Sequence, residues 1–281
     1  MTGFMQVMAR QDAIPLAIAS GCDMILFAAD LQEDRDYIYK GLERGVLTEQ
    51  RLDEAVTRIL ALKARLGLHR KMATGTLFPP DNAINVFADG TNRQLAAECA
   101  DCSVTLVKDT QWLLPISPVR HKRVLLHILG DQGGYHDPIK NTSDHFCARL
   151  SAEGFDITRF DPQDISLRPI GNSVKSMTDR FDLIIYYCSV KTSASDNVAR
   201  IVWDHPGGCN TPRYIHEIPT LFISIDSPYM LFDAPVVKTY INGYTPSQYV
   251  IDAIVEKILG RSEFKGTSPV DPFCGLLNAR F

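Results

Sequence analysis

The stretch Asp23-Met-Ile-Leu-Phe-Ala28 decides the fold of the first part of the chain. It is apolar at nearly every position, and a strand of this kind must be covered on both faces, as in parallel sheets and barrels. Helical periodicity precedes it over residues 4–20, ends at Gly21 and resumes over Asp34–Arg44. Because the sequence contains no upstream strand to pair with it, residues 1–68 are predicted to be the closing elements of a parallel barrel that is incomplete here.

A long amphipathic helix follows this strand. Thr48 is predicted to be its N-cap and Gly67 to end it. Its apolar stripe consists of Leu52, Ala55, Val56, Ile59, Leu62 and Leu66. Residues 69–91 lose this periodicity and contain Pro79-Pro80 and Asp89-Gly90, so they are interpreted as a linker on the surface between two domains.

From Asn92 the chain alternates between helical and strand patterns. The predicted strands are Val104–Val107, Arg123–Leu129, Asp182–Cys188, Thr220–Ile225 and Val237–Asn242, and the predicted helices are 92–102, 142–153, a segment near 195–202, and Pro246–Leu259. Because most of these strands are short and continuously apolar, residues 92–265 are predicted to form a mainly parallel α/β sandwich, with helices on both faces of the sheet. Residues 266–281 are interpreted as a C-terminal tail.

Composition excludes several classes of protein. The chain is 45% hydrophobic and 22% charged, with a net charge of −4, which is typical of a folded globular protein. It lacks the basic stripe that binds phosphates, so nucleic acid is not an expected partner. No apolar run has the length of a membrane span, and no signal peptide follows Met1, so we expect no membrane partner and a cytoplasmic location.

The cysteines do not form a recognisable framework. Seven are scattered along the chain, and we interpret them as free thiols. Cys99 and Cys102 form a CxxC motif, but it lies in an alanine-rich helical pattern without a second pair, so we interpret both residues as core filler. No metal and no cofactor is predicted.

A glycine-rich loop, Gly130-Asp-Gln-Gly-Gly-Tyr-His-Asp-Pro138, follows one predicted strand. Ligands bind open α/β sheets at such carboxyl ends, but this loop matches neither phosphate-binding fingerprint. It is interpreted as a plain strand-exit turn, with contact to a ligand or to a neighbouring domain as the alternative.

Other reactive residue types give weak signals. Ser173 in Gly171-Asn-Ser173-Val-Lys lacks the second glycine of a nucleophile elbow. His127 lies in an apolar strand, which favours a satisfied core histidine over a base. The adjacent pairs His136-Asp137 and Asp144-His145 are not expected to share one face. His205 and Cys209 lie near Trp203 without a third ligand, which favours a loop with a packed tryptophan.

Several motifs together resemble glycoside hydrolase family 3. Ala97-Glu-Cys-Ala-Asp-Cys-Ser-Val-Thr-Leu-Val-Lys108-Asp with Leu113-Leu-Pro-Ile is similar to the entry of that family's second domain. Ile218-Pro-Thr-Leu-Phe-Ile-Ser-Ile-Asp-Ser-Pro-Tyr229, Val237-Lys-Thr-Tyr-Ile-Asn-Gly-Tyr244 and Phe264-Lys-Gly-Thr-Ser-Pro-Val270 resemble its later segments in the same order. Upstream, the segments 17–26 and 45–63 resemble the end of the family's catalytic (β/α)8 barrel and the helix that follows it.

The resemblance is greatest to two-domain bacterial β-N-acetylhexosaminidases. It implies hydrolysis of β-linked N-acetylglucosamine, a nucleophilic aspartate that would lie about four residues before Met1, and a histidine acid/base in a K-H-F-P-G-like motif that this sequence does not contain. Retaining cleavage needs a nucleophile and a proton donor about 5 Å apart, so the chain alone is expected to be inactive. Met1 and Asp30 are the candidates for the substrate rim, and for Asp30 a helix N-cap is the alternative.

Two other functions stay open at this stage. The chain could be a stand-alone, non-catalytic module that binds sugars or another protein. It could also be a flavodoxin-like binder of a cofactor, which would predict a bound chromophore. On the main hypothesis, carbohydrate binds only together with the rest of the barrel, and residues 1–68 are expected to promote self-association through apolar surface and an unpaired strand edge.

Overall fold

The computed structural model describes residues 7–132, 141–168, 171–191, 199–204 and 207–281. These residues group into two compact units, one up to Val86 and the other from Phe87 onward. Among them, no helix combines the length and the apolar character that a bilayer crossing requires.

The first unit is helical. Its helices are α1 (Arg10–Ala19), α2 (Leu31–Glu43), α3 (Glu49–Arg65) and α4 (Leu68–Ala73), followed by a 3₁₀ segment at Asp81–Ala88. The predicted cap of α3 is confirmed, because Thr48 Oγ1 accepts a hydrogen bond of 3.2 Å from the backbone N–H of Arg51. Gly67 follows α3 in the left-handed conformation, at φ +64°. Helix α4 and the 3₁₀ segment lie within the stretch that was interpreted as an irregular linker.

The strand predicted at Asp23–Ala28 is wrong. Residues 22–30 form neither helix nor strand, and Met24, Leu26 and Phe27 are exposed, Phe27 by 92%. A strand forms only when neighbouring strands accept and donate its backbone hydrogen bonds. The first unit offers no such neighbour among its described residues, so the apolar pattern alone does not produce a strand.

Ion pairs hold this segment and the helices of the first unit together. Asp23 accepts from the guanidinium of Arg51 at 2.6 Å and from that of Arg58 at 3.2 Å, both on α3. The hydrogen bond from Arg51 lowers the pKa of Asp23. Arg10 of α1 pairs with Glu33 and with the buried Asp34 of α2. These pairs link α1 to α2 and the segment after α1 to α3.

The second unit is an open α/β sandwich. Its elements in chain order are α5 (Gly90–Ser103), β1 (Thr105–Asp109), β2 (Arg123–Gly130), α6 (Thr142–Ala152), β3 (Asp156–Arg159), α7 (Val174–Thr178), β4 (Leu183–Ser189), β5 (Thr220–Ser224), β6 (Thr239–Asn242) and α8 (Gln248–Ile258). The strand order is β1-β6-β5-β4-β2-β3, and only β1 runs antiparallel to its neighbour. The predicted fold class is confirmed.

Each face of the sheet carries its own core. Alternate residues of the central strands, such as Leu126, Ile185 and Ile223, pack with α5, α6 and α8 on one face. The intervening residues, such as Leu125 and Phe222, pack on the other face with Met177 of α7 and with a 3₁₀ turn at Met230–Phe232. Continuous burial of β4 and β5 on both faces explains why these strands are apolar at nearly every position.

Four features of the second unit differ from the sequence-based expectations. The edge strand β3 and the five-residue helix α7 were not predicted. The helix predicted near 195–202 falls largely outside the described residues, and residues 199–202 are not helical. The C-terminal tail is ordered and packed: Ala279 is fully buried, and a Cβ on Gly266 would lie 2.4 Å from the carbonyl oxygen of Ser103.

Candidate functional site

The carboxyl ends of the parallel strands all lie along one edge of the sheet. The order of the strands reverses at β2 and β4. The chain leaves β2 for the outer strand β3 and then crosses back to β4 on the other side of β2. Such a reversal of strand order opens a crevice at the carboxyl edge, where ligands of open α/β sheets bind. Residues 133–140 of the glycine-rich loop lie outside the described residues, so the alternatives for that loop stay open.

Asp131 lies directly after β2 at this edge and organises the start of α6. It is buried, adopts φ +70°, and its carboxylate accepts hydrogen bonds from Thr142 N at 2.8 Å, Thr142 Oγ1 at 2.7 Å and Ser143 N at 2.9 Å. The carboxylate therefore caps α6 from a position eleven residues upstream. Because a side chain of the protein already occupies the N-terminus of this helix, α6 does not offer an open anion site.

Gly130 immediately before Asp131 is required by close packing. It has φ +78°, and a Cβ at this position would lie 2.4 Å from the carbonyl oxygen of Ser189. No other residue fits this contact without a shift of backbone. The first glycine of the loop therefore allows β2 and β4 to approach each other closely. This packing explains the glycine without a bound ligand.

Further polar groups line the same edge. Ser189 Oγ donates to Asp226 Oδ2 at 2.7 Å, and Tyr187 OH lies 2.7 Å from Thr142 Oγ1. Burial raises the pKa of the Tyr187 phenol, which therefore stays protonated. Ser224 Oγ donates to the carbonyl of Ser227 at 2.6 Å. Hydroxyls and carboxylates held in this way can orient a polar ligand by hydrogen bonds.

Asn242 ends β6 at this edge with one acceptor unused. Its Nδ2 donates to the carbonyl of Pro228 at 3.4 Å, while its buried Oδ1 has no hydrogen-bond partner among the described residues. An unsatisfied buried acceptor is uncommon in a native structure. In the described part of this edge, no serine or cysteine forms a hydrogen bond with a histidine, which is the arrangement that nucleophilic catalysis needs.

The two rim candidates from the sequence have different outcomes. Met1 lies outside the described residues. Asp30 is the N-cap of α2, because its Oδ1 accepts a hydrogen bond of 2.8 Å from Glu33 N. The cap interpretation of Asp30 is confirmed, and its place at a substrate rim stays a prediction.

His127 is a core residue, as expected, but it is not fully satisfied. It stacks between Phe160 and Tyr186, with ring centroids 4.4 and 4.5 Å away. Its Nδ1 is buried without a hydrogen-bond partner among the described residues, and burial lowers the pKa of the imidazole to about 3. The ring is therefore neutral near pH 7 and serves packing.

The remaining candidate nucleophiles, bases and ligands have structural roles or fall outside the described residues. Ser173 caps α7, accepting from Ser176 N at 3.1 Å. Asp144 and His145 face different partners, since Asp144 pairs with Arg159 at 2.6 Å and His145 Nε2 lies 2.9 Å from Asp252. Trp203 packs, as predicted, against the core on the sheet face that contains Leu125 and Phe222. The residues outside the described part are His136, Asp137 and His205.

The interpretation of the CxxC pair as core filler is wrong. Cys99 and Cys102 are both exposed. The buried residue of α5 is Ala100, so the two cysteines do not lie on the side of the helix that packs against the core. Within the described ranges, no three residues of the types His, Cys, Asp and Glu come together as metal ligands would.

The motif around Lys108 and Asp109 has a structural basis that the sequence did not reveal. Lys108 Nζ is buried and donates to the carbonyl oxygens of Ala279 at 2.6 Å, Pro235 at 3.2 Å and Phe281 at 3.2 Å, so it fixes the C-terminal tail. Burial lowers the pKa of this amine to about 8. The sequence could signal such a role only through the presence of a lysine within an otherwise apolar strand.

Asp109 fixes the turn after β1. Its carboxylate accepts from the backbone N–H of Leu113 at 3.0 Å and of Leu114 at 3.1 Å, and from Thr239 Oγ1 at 2.7 Å. Aspartate is suited to this position because its short carboxylate can bond to backbone N–H groups of the turn that follows it. The motif therefore reflects packing at the edge of the sandwich.

Comparison with known proteins gives the family context. A scan against protein-family models finds no match. The chain is 42% identical over 98% of its length to the beta-N-acetylglucosaminidase/beta-glucosidase of Cellulomonas fimi, covering 48% of that protein. It is also similar to a solved beta-glucoside phosphorylase, BglX, at 38% identity and a TM-score of 0.78, covering 99% of this chain and 48% of that one.

A more distant structure shows the same fold. A glycoside hydrolase family 3 beta-N-acetylglucosaminidase from Paenibacillus sp. is 17% identical with a TM-score of 0.56, and the match covers 94% of this chain and 48% of that one. This chain thus spans about half the length of the relatives it matches. Its open, mostly parallel sheet corresponds to their C-terminal domains, and along nearly its whole length the chain is similar to the carboxyl-terminal part of a glycoside hydrolase family 3 enzyme.

Proposed function

We propose that this chain is the carboxyl-terminal part of an enzyme that cleaves β-glycosides of N-acetylglucosamine or glucose, and that it does not carry out the cleavage alone. One observation carries the proposal: 42% identity extends over 98% of this chain but covers only 48% of the Cellulomonas relative. Similarity at this level along the whole chain supports a shared role within a larger enzyme.

The engaged carboxylates of the first unit support the second half of the proposal. Glycoside cleavage needs one carboxylate or histidine placed as acid and one carboxylate placed as nucleophile, both free to reach the sugar. Asp12, Asp23, Glu33 and Asp34 are all ion-paired with arginines. Asp30 accepts the first backbone N–H bond of α2. These groups therefore serve the fold of the first unit.

The sandwich domain would contribute the polar carboxyl edge built from Asp131, Ser189 and Asp226. Its hydrogen-bonding groups suit a neutral, hydroxyl-rich ligand, whereas the capped N-terminus of α6 does not favour an anion there. We therefore propose that this edge faces the sugar in the complete enzyme. The alternative, a stand-alone sugar-binding module, predicts binding to the isolated chain without any effect of a barrel.

Assays of the isolated chain test this proposal. Neither aryl N-acetyl-β-glucosaminide nor aryl β-glucoside should be hydrolysed faster than in a buffer control, with or without inorganic phosphate. The reason is that the described residues show no paired acid and nucleophile placed for glycoside cleavage. Asp30→Ala should leave this background unchanged. Turnover by the purified chain that Asp30→Ala abolishes would contradict the proposal and make Asp30 a catalytic residue.

A further inference from the structure

Trp112 is presented to solvent by a turn that is otherwise firmly fixed. Its side chain is 89% exposed, and its backbone adopts φ +55°, the left-handed conformation that favours glycine or asparagine. A bulky aromatic residue in this conformation is strained, and an exposed indole gains nothing from burial. The fold of the sandwich therefore does not explain a tryptophan at this position.

The residues around Trp112 hold the turn rigidly. On one side, Gln111 Nε2 donates to the carbonyl of Thr220 at 2.8 Å and to Thr239 Oγ1 at 2.7 Å. On the other side, the N–H groups of Leu113 and Leu114 bond to the carboxylate of Asp109. The backbone that carries the indole is thus fixed, and a ligand that stacks on the ring would not have to order the turn first.

Polar groups stand beside the turn. Thr110 N donates to the carbonyl of Lys238 at 2.9 Å, which brings Lys238 next to the turn. The Nζ of Lys238 lies 3.3 Å from Nδ1 of His216. The turn that carries the exposed ring therefore has residues with polar side chains next to it in the fold, and an aromatic ring in such surroundings is suited to a ligand with one apolar face and a polar rim.

We propose that Trp112 is a surface platform for a β-linked, gluco-configured oligosaccharide. In such a sugar all ring hydroxyls are equatorial, so its C–H bonds form a flat apolar face that can stack on an indole while the hydroxyls reach polar neighbours. This identification of the ligand rests on the proposed function, since it takes the sugar class from the relatives' β-glycosides. The platform lies at the amino edge of the parallel strands, where β5 and β6 begin, and is therefore distinct from the polar carboxyl edge.

The chain offers a direct readout because it contains two tryptophans, Trp112 and Trp203. In the full chain with Trp203→Phe, fluorescence reports on Trp112 alone. Titration with cellotriose or tri-N-acetylchitotriose should shift the emission and protect it from iodide. In β-1,4-galactotriose the linking oxygen at C4 is axial, so the chain is not the flat ribbon of a β-1,4-glucan, and it should bind about tenfold more weakly, as expected for loss of one aromatic stacking contact.

Trp112→Gly separates binding from folding. Glycine adopts the left-handed conformation without strain, so this variant should melt at the same temperature as the parent or higher. It should nevertheless lose sugar binding when this is followed by chemical-shift changes, and the matched Trp203→Phe change should not. Unchanged binding in Trp112→Gly, or no binding by the parent chain, would overturn the proposal.

A third outcome would reassign the residue. If Trp112→Gly instead prevents association with the amino-terminal part of a relative, and the parent chain binds no sugar, Trp112 is a protein contact and the proposal is wrong. Sugar binding is measured on this chain alone, so it can fail while the proposed enzymatic role stands, and it can succeed while that role fails.

Discussion

His127 shows how one buried side chain makes stability depend on pH. Its pKa falls to about 3 in the folded protein, against 6.5 for an exposed histidine. The unfolded chain therefore takes up a proton below pH 6.5 that the folded chain does not, and stability falls as the pH drops from 6.5 towards 3. Each pH unit in this window lowers the free energy of unfolding by about 1.4 kcal/mol from this group.

His127→Phe should remove that dependence. Phenylalanine keeps the stack between Phe160 and Tyr186 and eliminates the unpaired Nδ1. Between pH 6.5 and pH 4.5, the free energy of unfolding of the variant should fall by about 2 to 3 kcal/mol less than that of the parent, as measured by urea unfolding. His69→Gln, at an exposed position, is the control and should follow the parent. Parallel pH profiles for His127→Phe and the parent would show that burial of His127 does not have this effect.

At the scale of single elements, the cap on α6 should be measurable. Asp131→Ala removes three hydrogen bonds to the start of that helix and should lower the free energy of unfolding by about 2 kcal/mol. Asp131→Asn retains an acceptor oxygen and tolerates the left-handed conformation, so it should cost less than about 1 kcal/mol. Equal losses in the two variants would mean that the hydrogen bonds accepted at this position do not stabilise the start of α6.

The elements that the sequence predicted are those that local pattern determines. Strands β2, β4 and β5 are continuously apolar because both of their faces are buried, and α3 has a cap, a stripe and a terminating glycine within its own sequence. Strand β3 was missed because Asp156-Ile-Thr-Arg159 is a polar edge strand, most of whose side chains face solvent.

Errors arose where partners distant in sequence decide the structure. The segment Asp23–Ala28 has the apolar pattern of a strand, but the described residues of the first unit contain no strand that could pair with it. Cys99 and Cys102 follow an apolar helical pattern but lie on the side of α5 that is not covered. At the carboxyl edge, Asp131 caps α6 across eleven residues, and Ser189 meets Asp226, so neither contact could be read from a local motif.

At the scale of the whole molecule, the two units should behave differently in solution. The second unit has a core on each sheet face, so a chain beginning at about residue 87 should be soluble and melt cooperatively. The first unit leaves Leu26, Phe27, Leu31, Leu62 and other large apolar side chains exposed. Exposed apolar surface promotes association, so light scattering should show self-association of the full chain and not of the shortened one.

Two results would contradict this division. Aggregation or a broad melt of the shortened chain would mean that the sandwich depends on the first unit for its core. If both chains are monodisperse monomers, and proteolysis readily removes residues 1–68 from the full chain, the first unit is not a folded part of a barrel.

Reconstitution tests the central claim most directly. The full chain is mixed with the separately expressed amino-terminal part of the Cellulomonas fimi relative that this chain does not match, and cleavage of aryl N-acetyl-β-glucosaminide and aryl β-glucoside is followed with and without inorganic phosphate. We expect activity in the mixture and in neither part alone. Dependence on phosphate would distinguish phosphorolysis from hydrolysis.

Matched variants make this result specific. Leu26→Asp places a charge on the exposed apolar segment and should prevent reconstitution, whereas Gln50→Asp, on the exposed start of α3, should not. Cleavage by the mixture that is lost with Leu26→Asp and kept with Gln50→Asp is the predicted result. Turnover by this chain alone, or a mixture that binds together yet stays inactive, would contradict the account.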